Sequence, residues 1–115
     1  ESKNEDENLK QRSIDLLSKF GLEELYYQTA GELSYGQQKL ISFCMLIMNG
    51  AQLALLDEPF AGLNPQTIDR FSDMILHMKN EGTTFLIIEH NIEKALNICD
   101  IHFEMKNGSI FNQII

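Results

Sequence analysis

A chain of 115 residues and 13.2 kDa has room for one modest core, and by surface-to-volume scaling it buries roughly two thirds of its unfolded surface. Hydrophobic residues at 43% and charged residues at 23% place it with soluble globular chains rather than disordered ones. A net charge of -8 and a pI near 4.7 exclude a broad surface for phosphate backbones, which needs Lys and Arg, so nucleic acid is not an expected partner.

Glu1 to Arg12 is polar and mostly acidic and reads as a solvated helix end. The chain does not begin with Met, so its start is expected to be a cut or processing boundary. From about Glu5 to Phe20, the residues Leu9, Ile14, Leu16, Leu17 and Phe20 form a stripe of helical period, closed by Gly21. A short helix from Leu22 to about Tyr27 follows. Ser34 can cap a helix beginning near Gly36, and a glycine there lets backbone N–H groups approach a ligand, at a helix end suited to phosphate. This helix runs to Asn49-Gly50. It is apolar on nearly all sides between Leu40 and Met48, which predicts a buried helix. That apolar stretch is far short of the roughly 20 residues that span a bilayer.

Leu53 to Leu56 reads as a fully buried strand that delivers two adjacent carboxylates, Asp57 and Glu58, to the carboxyl edge of a parallel sheet, where ligands bind. Side by side, the two acids repel unless a cation or a shared proton intervenes, which is a reason to expect a metal. Pro65 opens the next helix, whose face of Ile68, Phe71, Ile75 and Met78 should be buried, with Met74 in the core and His77 at a boundary. Thr84 to Ile88 predicts a second buried strand, ended by Glu89-His90. Asn91 can cap a helix burying Ile92, Ala95, Leu96 and Cys99. Ile101 to Met105 and Ser109 to Ile114 flank Lys106-Asn107-Gly108, a hairpin signal, with His102 expected at the surface. Cys44 and Cys99 have neither metal-ligand nor disulfide spacing and read as reduced core thiols.

Three of these stretches together resemble the ABC ATPases. Leu33-Ser34-Tyr35-Gly36-Gln37 resembles the signature loop, Leu53 to Glu58 the Walker B strand, and Glu89-His90 the segment of the switch histidine. Ala61 to Asn64 matches the D-loop. Tyr35 stands where glycine is commonest, and Asn64 where aspartate is usual. The resemblance spans about Leu16 to Ile115. It implies that Asp57 helps hold Mg2+ through its water shell, that Glu58 is the general base, and that His90 orients the water and touches the gamma-phosphate of ATP. It also implies that Ser34, Gly36 and Gln37 contact ATP held by a second subunit, across a dimer interface along which Asn64 lies.

The resemblance further implies an α/β fold: a partial P-loop NTPase sheet of RecA type with flanking helices, part of the helical signature subdomain in residues 1–52, and the rest of the core with a β-hairpin in 53–115. No G-x-x-x-x-G-K-[ST] loop occurs in these 115 residues, and the strand that would carry it belongs between those of His90 and Ile101 to Met105. Its absence should leave a gap of roughly 10 Å in the sheet. The expected partners are the missing P-loop half, a second ATPase subunit and a membrane-spanning permease subunit, at the inner face of the membrane. The D-loop and the His90 segment resemble subunits serving importers of branched-chain amino acids or related polar solutes, and also the ATPase of lipopolysaccharide export. Two other readings are a soluble ABC ATPase of the DNA-repair or chromosome-maintenance type and a noncatalytic module that lends its signature loop to a partner.

Overall fold

The computed structural model describes residues 2–114; Glu1, expected in the solvated helix end, lies outside them. Helix α1 (Ser2–Lys19) begins earlier than its apolar stripe suggested. It buries Leu17, with Leu16 and Phe20 against the same core, while Leu9 stays exposed. Gly21, at φ +68°, turns the chain into a 3-10 helix at Glu23–Tyr27, where a short helix was expected, and a second one follows at Ala30–Glu32.

Helix α2 (Tyr35–Met48) buries Leu40, Phe43 and Cys44. It is not buried all round as its composition suggested, because Met45 is 61% exposed. Strand β1 (Leu53–Asp57), helix α3 (Pro65–Asn80) and strand β2 (Thr84–Ile88) then form a β-α-β unit with parallel pairing, from Leu53 opposite Thr84 to Asp57 opposite Ile88. Helix α3 inserts Ile68, Phe71, Met74 and Ile75 into the core, and Met74 and Ile75 are the most completely buried large side chains described. Phe71 packs at 4.9 Å on Phe43 of α2 and edge-on at 5.9 Å to Phe60, so one aromatic cluster joins the helices to the turn after β1. Such pairs add about 0.5–1.5 kcal/mol beyond their buried area.

The two strands depart from expectation in one respect. Their apolar runs predict full burial, yet burial alternates along them: Ala54, Leu56, Phe85 and Ile87 face the helices, whereas Leu53, Leu55, Leu86 and Ile88 are 57–68% exposed. A continuous apolar run marks a strand designed to be covered on both faces. Here α2 and α3 cover only one. Helix α4 (Ile92–Ile98) differs for the same reason: it meets α3 and buries Ile98, while Ile92 and Leu96, expected inside, are exposed. Cys99 is only partly buried.

Strands β3 (His102–Lys106) and β4 (Ser109–Ile114) pair antiparallel as the expected hairpin, with a register irregularity between Glu104 and Met105. Asn107 and Gly108 have φ +52° and +79°, the left-handed pair that a two-residue hairpin requires. His102 is not the surface residue anticipated; its ring is partly covered, and both ring nitrogens are buried without a partner. Among the described residues, β1-β2 and β3-β4 are separate two-stranded sheets rather than one. The radius of gyration, 16.1 Å, exceeds the roughly 13 Å of a compact domain of this length. The described residues thus form a layered α/β arrangement, with helices on one face of a parallel pair.

Two measurements follow from this asymmetry. Met74→Ala should lower unfolding free energy by about 2–5 kcal/mol in urea titrations, whereas Leu55→Gln on the bare face should change it by less than about 1 kcal/mol. The buried Cys44 thiol is pushed up by desolvation from 9.0 to about 11. The unfolded chain therefore loses this proton first as pH rises, so the contribution is intact below pH 9 and is lost between pH 9 and 11. Relative to Cys44→Ala, the wild type should lose roughly 2 kcal/mol of stability across that window.

Candidate functional site

The carboxyl edge of the parallel pair gathers the acids and the histidine. Asp57 ends β1 opposite Ile88, and the Glu58 amide donates to the Ile88 carbonyl at 2.7 Å, extending the ladder by one bond. Glu58 then leaves the strand in the left-handed region, at φ +48°, a conformation that costs a glutamate about 1 kcal/mol or more and survives only where the surroundings enforce it. The sharp turn brings its carboxylate onto Nδ1 of His90, two residues beyond the end of the neighbouring strand. The Glu58 side chain is 40% exposed and that of His90 85%, so the pair is open to a ligand arriving from solvent.

Glu89 supplies a second link between the strand ends that the sequence did not reveal. Its Oε1 accepts from the amides of His90 at 2.9 Å and Asn91 at 3.1 Å, while Oε2 accepts from the Phe60 amide at 3.3 Å. One carboxylate thus fixes the backbone that carries His90 and ties it to the turn after Glu58. The only signal in the sequence was an acid two residues ahead of the Asn91 cap, itself confirmed by the bond from the Lys94 amide to Asn91 Oδ1 at 3.2 Å.

The residues read as the signature form a separate group at the start of α2. Ser34 Oγ accepts from the Gln37 amide at 3.2 Å, and Gln37 Oε1 accepts from the Ser34 amide at 2.9 Å, a reciprocal capping box. Gly36 has a packing reason as well as the one expected of it: a Cβ there would lie 3.2 Å from Thr67 Cγ2 and 3.5 Å from Leu63 Cδ2. A side chain there would require Thr67 to give by a few tenths of an ångström, so glycine eases the approach of the first turn of α2 to the start of α3. Asn64 caps α3, with Oδ1 accepting from the Thr67 amide at 2.8 Å, so it sits beside the signature turn across Thr67. Each such cap stabilises its helix by about 1 kcal/mol.

Between the two groups stands Lys39, also missed in the sequence. Its Nζ donates to the carbonyls of Glu58 at 3.2 Å, Pro59 at 3.1 Å and Ala61 at 3.2 Å, and lies 5.3 Å from the centre of the Tyr35 ring. Tyr35 in turn lies against Gly62, where an added Cβ would come within 3.1 Å of Tyr35 Cε1. The ring of Tyr35 is therefore directed at the loop before α3. Chemically, the edge offers a carboxylate and an imidazole in contact, a second carboxylate one residue earlier, and a capped helix start nearby. Among the described residues there is no cluster of three or more acids, histidines or cysteines that could by itself enclose a metal.

The family profile described as ABC transporter matches residues 1–61. A probable branched-chain amino acid transport ATP-binding protein, LivG, of Methanocaldococcus jannaschii is 36% identical over 91% of this chain and 41% of its own length. The high-affinity branched-chain amino acid transport ATP-binding protein BraG of Pseudomonas aeruginosa is 36% identical over 77% of this chain and 38% of its own. The chain therefore spans about two fifths of the length of these relatives. Among solved structures, a nucleotide-free ATP-binding cassette from an ABC transporter superposes with a TM-score of 0.83 at 34% identity, over 93% of this chain and 42% of that one. CbiO1 of Clostridium perfringens, part of an ABC transporter complex, gives 0.81 at 29% identity, over 94% and 43%. With a parallel strand pair carrying an acidic edge and helices packed on one face, the chain belongs to the ABC transporter family, as part of its ATP-binding domain.

Proposed function

We propose that these residues are the carboxy-terminal portion of an ATP-binding subunit that, when complete and dimeric, binds and hydrolyses ATP to power transport across a membrane. The observation that carries this reading is the contact between the Glu58 carboxylate and His90 at the carboxyl edge of the β1-β2 pair. Glu58 is the general base, taking a proton from the water that attacks the gamma-phosphate. His90, held by the Glu89 bonds behind it, orients the same groups. A general base typically contributes about 10²- to 10⁴-fold. Asp57 fits a site for Mg2+, which binds through one or two carboxylates together with substrate phosphates and retained waters rather than in an all-protein cage. When bound, that ion would neutralise charge on the phosphates and relieve the repulsion between Asp57 and Glu58.

Ser34, Gly36 and Gln37 present the start of α2 to ATP held by the second subunit, with Asn64 lining the dimer interface. Residues 1–52 supply the helical part and 53–115 the core part of the same domain. The phosphates need backbone amides and a lysine from a P-loop, a motif these residues do not contain, so the remaining half of the domain is the partner of the bare face of Leu53, Leu55, Leu86 and Ile88. No helix among the described residues is long and apolar enough to cross a membrane. The membrane is reached through a permease subunit, on its cytoplasmic side. The relatives named above are transport ATP-binding proteins, which favours this reading over the soluble DNA-repair type and over the noncatalytic module.

In the complete subunit, Glu58→Gln should lower kcat for ATP by about 10²- to 10⁴-fold with ATP affinity retained, measured by steady-state phosphate release and by calorimetry. An unchanged kcat would remove Glu58 as the base. The same calorimetry with magnesium-ATP should detect no binding to the 115 residues alone and binding once the P-loop half is joined. Binding by the 115 residues alone would require a phosphate site of a different kind.

A further inference from the structure

Lys39 belongs to the signature helix, but its charge acts on another segment. An ammonium has three N–H donors, and here three carbonyls, those of Glu58, Pro59 and Ala61, lie within 3.1–3.2 Å of it. All three belong to the turn that leaves β1. The Tyr35 ring, one helical turn earlier, lies 5.3 Å from the ammonium on centroid and also against Gly62, so helix α2 grips the loop from Glu58 to Gly62 through two side chains.

The grip falls on the residue with the unusual backbone. Glu58 has φ +48°; its N–H is held by the Ile88 carbonyl at 2.7 Å, and its own carbonyl accepts from the Ala61 amide at 3.2 Å and from Lys39. Rotation of Glu58 to an ordinary negative φ would swing that carbonyl out of reach of the ammonium and carry the side chain away from His90. A left-handed glutamate persists only where its surroundings over-determine it. The amide is fixed by the sheet; the carbonyl is fixed from the helix.

We propose that Lys39 is a positioning residue: by gathering the carbonyls of Glu58, Pro59 and Ala61 it holds the Glu58 backbone in the left-handed conformation that places its carboxylate against His90. The inference rests on the proposed role of Glu58 in hydrolysis and adds to it a residue that acts through Glu58 without touching the nucleotide. It also makes the position of α2 a determinant of the geometry of the acid. Lysine suits the task because a compact ammonium can converge on three carbonyls, whereas the planar fork of arginine directs its donors apart.

The test compares wild type, Lys39→Met and Lys39→Arg in the complete subunit, by ATP turnover and by amide exchange. Lys39→Met keeps the aliphatic stem and removes the donors. It should lower kcat by roughly 10- to 100-fold, as expected of a misplaced catalytic group, with KM for ATP within about 2-fold of wild type. Lys39→Arg should recover part of the loss. The Ala61 and Leu63 amides should exchange faster in Lys39→Met while amides around Met74 keep their protection. An unchanged kcat, or a fall accompanied by loss of protection around Met74, would overturn the proposal. A wild-type subunit that does not hydrolyse ATP would overturn the functional reading instead, and exchange at Ala61 and Leu63 would still decide whether Lys39 holds the turn.

Discussion

The hydrogen bond from the Glu58 amide to the Ile88 carbonyl is the contact on which the site depends. It is the last rung of the parallel ladder, and it fixes the register in which Asp57 stands opposite Ile88. A shift of one residue would exchange the two faces of β1 and send Ala54 and Leu56 outward. It would also separate Glu58 from His90, because the two residues lie one and two positions beyond the ends of their strands. The left-handed turn at Glu58 is compatible with this rung only because the next atoms of the chain are held as well, by Glu89 at the Phe60 amide and by Lys39 at the carbonyls beyond.

The scaffold that holds the turn is the aromatic and aliphatic contact among α2, α3 and β2. Phe43 touches both Phe71 and Phe85, and Phe60 leaves the turn to pack on Phe71, so the core reaches to within two residues of the acid. Burial of Phe60 at 4% exposure is what pins the loop from below, while the polar links pin it from above. The surface ion pairs are lesser contributors. Lys94 with Asp69 and Lys79 with Asp100 join α3 to α4 and the residues after it, but exposed pairs of this kind are each worth about 1 kcal/mol or less.

The opposite face of the strands obeys the same physics with the other outcome. Leu53, Leu55, Leu86 and Ile88 have side chains suited to a second covering layer, and the Phe103, Met105, Ile110 and Phe111 side chains of the hairpin are likewise exposed. Among the described residues the strands form two separate two-stranded sheets, so each strand keeps one unpaired edge.

Much of this was legible in the residues themselves. Local signals determined the elements: Ser34 and Asn91 as helix caps, Pro65 as a first helical residue, Asn107-Gly108 as a hairpin turn, and apolar runs of strand length before Asp57 and Glu89. Each acts through neighbours three or four positions away, so the sequence suffices to read it. The family was legible through the resemblance of Leu33 to Gln37, Leu53 to Glu58, Ala61 to Asn64 and Glu89-His90 to ABC ATPase motifs, and that resemblance implied the fold class. What only the tertiary structure decided is the set of contacts made across long sequence separations: the Lys39 ammonium on the carbonyls 19 to 22 residues later, and the Glu89 carboxylate on an amide 29 residues before it. It also decided which half of each apolar strand is covered. Burial and charge–carbonyl contacts depend on what lies opposite in space, and no local pattern carries that information.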